Sequence, residues 1–256
     1  MRRRAEGPAA GRPAARDRRR TLNILSALSL ADMAALAVFL ALWLAYEPML
    51  KAVARGRGVI NTDMTAIRAA WMWTMAGREN KFMDGQLLGH TLNSASFFAS
   101  SNLILIAGAA GVLFGGEGAF KSASSLEVLK TSSRLLFEVQ IALVLLTLAR
   151  GLLDFIWAIR QMNYCLAVIG AAPQSEDEAF QAAYGDIAAR LMNPALSAFN
   201  RGVRGYYFGL AAASWLFGPQ AFVMVTLAAV SLLVMRQRRS PAARAIRDLR
   251  RLIEGG

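Results

Sequence analysis

The chain has 256 residues, 55% of them hydrophobic and 18% charged, with a formal net charge of +12. A mean hydropathy of +0.37 lies outside the usual range of water-soluble domains and points to an integral membrane protein. The basic excess does not describe a nucleic-acid surface: eight Lys and Arg lie in residues 1–20 and seven in residues 236–256, flanking the apolar body instead of lining an aromatic-interleaved groove.

Residues 1–22 are rich in Arg, Ala, Gly and Pro without apolar periodicity, and are expected to be a disordered basic cytoplasmic tail. The apolar run that follows, 24–46, is about 23 residues long, beyond a cleavable signal core and sufficient to span a bilayer. Trp43 and Tyr46 suit the aromatic belt at its far end, Pro48 closes it, and Asp32 sits inside it. In the polar stretch 51–86, Met64, Ile67, Trp71 and Met75 recur at helical spacing beside Arg68 and Arg78. That pattern predicts an amphipathic helix at the interface or against the bundle. The lone His90 reads as an interfacial histidine at the start of the next span.

The second span, 93–115, is rich in Ser, Ala and Gly, and Ala107, Gly111 and Gly115 fall four apart. Small residues at that spacing let helices approach closely, so homo-oligomerisation through this face is an expectation. The GGEG and SASS that follow are expected to form a short loop. The third span, 135–157, continues as helix toward Gly170 and carries Glu138, Arg150, Asp154 and Arg160 within an apolar sequence. Ionisable groups in hydrocarbon are costly and must face a partner, a cavity or the interface, which makes them functional candidates. After Pro173 an acidic connection leads to a helix near 178–191.

The fourth apolar stretch, 206–235, is interrupted by Gly218 and Pro219. Proline removes a backbone donor, so the stretch is either one kinked span or two half-helices in a re-entrant hairpin. The kinked span is the expectation here, because a hairpin brings Arg236 back to the side it left. Residues 237–256 form a basic tail with a short amphipathic helix over 242–253. Spans at 24–46, 93–115, 135–157 and 206–235 thus make residues 23–236 a single helical domain: an all-α bundle of about four transmembrane helices plus an amphipathic interfacial one. Lys plus Arg number 18 in the two tails and second loop against 10 in the other loops, an asymmetry that favours both termini in the cytoplasm, and the bacterial inner membrane is the expected location.

Two polar constellations follow. Asp32, in the first span, and Arg150, in the third, fall at similar depth, and Arg150 and Asp154 are four apart on one helix face. An Asp32, Arg150, Asp154 cluster neutralises most of the buried charge and is either a packing device or a path for a small solute or ion. Toward the outer face, Arg160, Asn163 and Tyr164 meet Asn200, Arg201, Arg204 and Tyr207. Guanidinium and amide groups at an interface bind phosphate or carboxylate, so a lipid headgroup or other anionic ligand is expected there. The single Cys165 excludes an intrachain disulfide, and one His with one Cys leaves no ordinary metal-ligand set. No phosphate-cradling glycine loop, zincin helix or nucleophile elbow is present, and neither cofactor nor metal is expected.

Four stretches in fixed order carry a resemblance: RAAWMWTMAGRENKFMD (68–84), NSASFFASSNLILIAG (93–108), FIWAIRQMNYCLAVIGAAP (155–173) and FNRGVRGYYFGLAAASWLFGP (199–219). With DMAALAVFLALWLAYE (32–47), the chain resembles the uncharacterised membrane proteins catalogued as domain of unknown function 599. The resemblance covers about residues 32–235 and implies a helical membrane protein of about four spans, without a reaction, substrate or cofactor. The function read from the sequence is therefore a binding or scaffolding membrane protein with lipids as partners, or alternatively a small-solute or ion transporter.

Overall fold

The computed structural model describes residues 28–54, 59–126, 129–130 and 133–255, which are helical and without strands. The expected tail at 1–22 and the start of the first span lie outside the described residues. Helices α1 (Leu30–Ala54), α2 (Ile60–Gly77), α3 (Phe82–Phe114), α4 (Gly116–Ser124), α5 (Arg134–Ala171), α6 (Glu178–Ala213), α7 (Pro219–Arg239) and α8 (Pro241–Gly255) follow in order, with a 3-10 turn at Ser214–Phe217 between α6 and α7. Four segments are long and apolar enough to cross a membrane: Leu30–Leu50, Phe82–Phe114, Arg134–Ala171 and Pro219–Gly255. In the Phe82–Phe114 helix only 11% of the apolar window is buried within the protein. Phe97, Leu103, Ile104 and Phe114 point outward from it, a surface that water does not tolerate and lipid does.

The frame is the antiparallel pair α5 and α6, helices of 38 and 36 residues. Their starts are set locally: Ser133 Oγ accepts the Leu136 N–H and the Asp177 carboxylate accepts the Ala179 N–H, each satisfying an orphan donor of a first turn. They approach closely where Gly151 faces Gly205; a Cβ on Gly205 would lie 3.0 Å from the Gly151 Cα. Helix α3 lies antiparallel to α5, with Asn102 Nδ2 donating to the Leu148 carbonyl at 2.9 Å and Phe98 stacked on Phe155.

Two cores sit one above the other along this frame. The first joins α1 and α7 to the start of α5 and the end of α6 through Phe39, Phe208, Trp215 and Phe222, with Trp215 stacked on Phe222 at 5.0 Å. The second joins α2 and the start of α3 to the opposite halves of α5 and α6 through Met72, Met75, Leu88, Met162 and Met192. The predicted helix near 178–191 is in fact part of α6, which runs unbroken past Pro194, and the predicted loop at GGEG and SASS is the short helix α4.

The 206–235 stretch is not one kinked span. Gly218 has φ +103°, a conformation that side chains other than glycine rarely adopt, and Pro219 opens α7 with its missing N–H at a position that needs none. The chain reverses there. Arg236, near the end of α7, donates to the Tyr207 hydroxyl at 2.6 Å on α6, so the two helices form a hairpin. Helix α1 also runs antiparallel to α6, since Asp32 meets Trp215 and Glu47 meets Arg204. Leu28 stands at the Gly218 end of the bundle, and the exit from α7 stands at the other. Helix α8 then folds back along α2, where Arg250 reaches Asp63 at 2.8 Å.

Candidate functional site

Between α1, α5 and α6 lies a cleft of about 350 Å³. Trp43 and Leu44 form its apolar side, and Thr147, Gly151 and Gly205 its floor. Five charged side chains line it: Glu47 from α1, Arg150 and Asp154 from α5, Arg201 and Arg204 from α6. The two glycines keep α5 and α6 close enough for Asp154 to bridge both helices, accepting from Arg201 Nε at 3.0 Å and from Arg150 Nε at 3.3 Å. Glu47 pairs with Arg204, whose guanidinium also lies 5.5 Å from the centre of the Tyr46 ring. Three guanidiniums thus face two carboxylates. Arg150 holds Asp154 only at the edge and keeps 62% of its side chain exposed. The cleft is therefore cationic by one charge, with a mobile-length side chain at its mouth to meet an anion.

The structure separates the residues that the sequence grouped. Asp32 does not join Arg150. It lies in the first turn of α1, where it accepts from the Ser29 hydroxyl at 2.6 Å while its own N–H donates back to Ser29 Oγ at 3.1 Å. Its other oxygen accepts from the Trp215 indole at 2.8 Å. This is a capping box, and the shared depth assumed from a helix starting at residue 24 fails because the described α1 begins at Leu30. Gln140, level with Trp215 through a hydrogen bond to its carbonyl, is fourteen residues before Asp154, or about 21 Å along α5. The proposed path through Asp32, Arg150 and Asp154 loses its first member.

The outer group divides three ways. Arg201 and Arg204 enter the cleft. Arg160, Asn163 and Tyr164 stay exposed on α5, where Arg160 Nε donates to the Tyr164 hydroxyl at 2.6 Å. Asn200 turns toward α2 and donates to Asn61 Oδ1 at 3.1 Å, and Tyr207 accepts from Arg236. Glu47 is the cleft residue that sequence reasoning passed over. Its signal was an acid between Tyr46 and Pro48 at the close of an apolar span, where a carboxylate needs a partner.

A second charged layer surrounds α2. Asp63 and Asp84 are fully buried and engaged: Asp63 with Arg250, Asp84 with Arg78 and with the Trp71 indole at 2.6 Å. Arg68 is buried too, with 5% exposure, yet among the described residues its Nε and Nη1 have no hydrogen-bond partner. Burial pushes its guanidinium down to about 10. The predicted stripe of Met64, Ile67 and Trp71 is half-buried beside it, and the fully buried face of α2 is Asp63, Arg68, Met72, Met75 and Ala76.

Long apolar helices with outward-facing hydrophobics, packed around a cationic cleft, define a multi-pass helical membrane protein. A family model described as "Protein of unknown function, DUF599" matches residues 34–242, and the chain belongs to that family. No curated protein and no solved structure matches the chain.

Proposed function

We propose that this protein works by binding rather than by catalysis, as a multi-pass protein of the bacterial inner membrane that holds an anionic group in the cleft between α1, α5 and α6. The observation that carries the reading is the surplus guanidinium: Arg150, Arg201 and Arg204 against Glu47 and Asp154 in a cavity of about 350 Å³. A phosphate or carboxylate fits because Arg150 has donors to spare and the apolar wall of Trp43 and Leu44 suits what such a headgroup is attached to. Arg160 and Tyr164 form an exposed pair further along α5 and anchor it at headgroup level. Ala107, Gly111 and Gly115 on α3 remain exposed within one chain, and we assign that face to contact with a second copy.

The test is lipid retention. The full chain, purified from membranes of mixed lipid and stripped stepwise in detergent, is expected to keep phosphatidylglycerol longer than phosphatidylethanolamine. Arg150→Gln with Arg201→Gln is expected to reduce that preference about tenfold, the loss of one or two charge-assisted contacts. Equal retention of both lipids, or a preference untouched by the double substitution, would overturn the reading.

A further inference from the structure

We propose that a second cavity, lined by α2, α3 and α6, binds an amphiphilic anion: a single carboxylate or phosphate head on an apolar body, with Arg68 as its counter-charge. The cavity measures about 320 Å³, within the range of small-molecule sites, and is separate from the cleft described above. Its wall is mainly apolar, from Ile67, Leu196, Phe199 and the face of Trp71, with Thr91 and Asn200 as the polar groups beside Arg68.

The argument rests on what is missing around that guanidinium. A buried charge is ordinarily paired, because water removed from it must be replaced by a partner. The buried acids of the α2 layer pair elsewhere through one oxygen each, Asp63 with Arg250 and Asp84 with Arg78 and Trp71, and although their Oδ2 atoms have no partner, neither forms an ion pair with Arg68. Arg68 is 5% exposed, two of its nitrogens lack an acceptor, and it lines an open volume. A planar donor fork without a protein acceptor matches a carboxylate or phosphate from outside the chain. The apolar walls then select against a free inorganic anion and for one that carries hydrocarbon.

Trp71 lines the cavity and reports on it. The full-length protein, delipidated in a zwitterionic detergent, is titrated with dibromostearate, dibrominated phosphatidylglycerol, dibrominated phosphatidylcholine or a brominated fatty alcohol, following tryptophan quenching. A saturable component is expected with an anionic probe and absent with the phosphatidylcholine and the alcohol. Saturation by dibromostearate alone assigns a free acid, and saturation by phosphatidylglycerol assigns a lipid headgroup. In a Trp43→Phe background, which silences the first cleft, Trp71→Phe is expected to remove the saturable component, and Arg68→Gln to shift it at least tenfold to higher concentration. Equal quenching by neutral and anionic probes, or unchanged saturation in Arg68→Gln, overturns the proposal. A measurement on the unmodified chain covers the case of a variant that does not fold: stearate is expected to raise the thermal midpoint and stearyl alcohol to leave it unchanged, and equal effects of the two overturn the proposal.

Discussion

The clearest discriminating perturbation concerns Asp32. Sequence spacing pairs it with Arg150, whereas the structure pairs it with Trp215, and the two assignments give different coupling energies. Trp215→Phe keeps an aromatic ring against Phe222 and removes the indole N–H that donates to Asp32 at 2.8 Å, while the packing lost with the smaller ring does not enter the coupling term. Hydrogen bonds to charged groups contribute about 1.5–3 kcal/mol, while interhelical polar contacts in membrane proteins average about 0.6, so about 1–2 kcal/mol of coupling is expected for this buried one. Asp32→Ala also removes the reciprocal bond with Ser29, adding about 1 kcal/mol that does not enter the coupling term. Arg150 lies ten residues beyond Gln140, about 15 Å along α5 from the level of Asp32, and sites that far apart add within about 0.5 kcal/mol. The assay is reversible unfolding in mixed micelles followed by far-ultraviolet circular dichroism, on both double-mutant cycles. Coupling to Arg150 above that scatter, with none to Trp215, would refute the placement of α1 against the 3-10 turn.

Two further outcomes test the helix packing and the chain reversal. A Cβ on Gly185 would lie 2.7 Å from the Trp73 Cα and 2.9 Å from its N, so Gly185→Ala must displace the backbone of α2 and is expected to cost about 1–3 kcal/mol in the same unfolding assay. Gly151→Ala meets its neighbours at 3.4–3.5 Å, and the helix propensity it gains, up to about 1 kcal/mol, is expected to leave it near neutral; equal destabilisation by both would be inconsistent with the α2 and α6 contact. Reporter fusions ahead of Leu28 and after α8 are expected to report opposite sides of the membrane, and a common side would exclude the turn at Gly218.

Helical content and the apolar segments were legible because period and length are local properties. So was the ion pair of Arg150 with Asp154, which spacing alone places on one face. The partners that complete the polar sites were not. Glu47 meets Arg204 across 157 positions, Arg250 meets Asp63 across 187, and Trp215 meets Asp32 across 183. Such contacts depend on which helix packs on which, and that depended on one glycine. Gly218 and Pro219 were visible as a break, but a kink and a reversal share that signature. Only the left-handed φ at Gly218 and the stacking of Trp215 on Phe222 decide between them. Once the chain reverses there, α7 runs beside α1, the arginines that follow it are carried to the α2 end, and Arg250 becomes available to Asp63.

The distribution of pairs gives the arginines different roles. Glu47 with Arg204 ties α1 to α6, Asp154 with Arg201 ties α5 to α6, and Asp63 with Arg250 ties α2 to α8. Each is a cross-link between helices in surroundings where apolar packing alone discriminates poorly between partners, since lipid is as apolar as leucine. Those arginines have a structural use that accounts for their presence. Arg150 and Arg68 do not: the first shares an acid already bridged by Arg201 and projects outward, and the second has no acid partner among the described residues. On the readings proposed above, a guanidinium that contributes no cross-link meets an anion from outside the chain. The two unspent cations sit on opposite flanks of α6, one at the mouth of an exposed cleft and one inside a cavity, and this division separates a headgroup contact from the capture of a whole amphiphile.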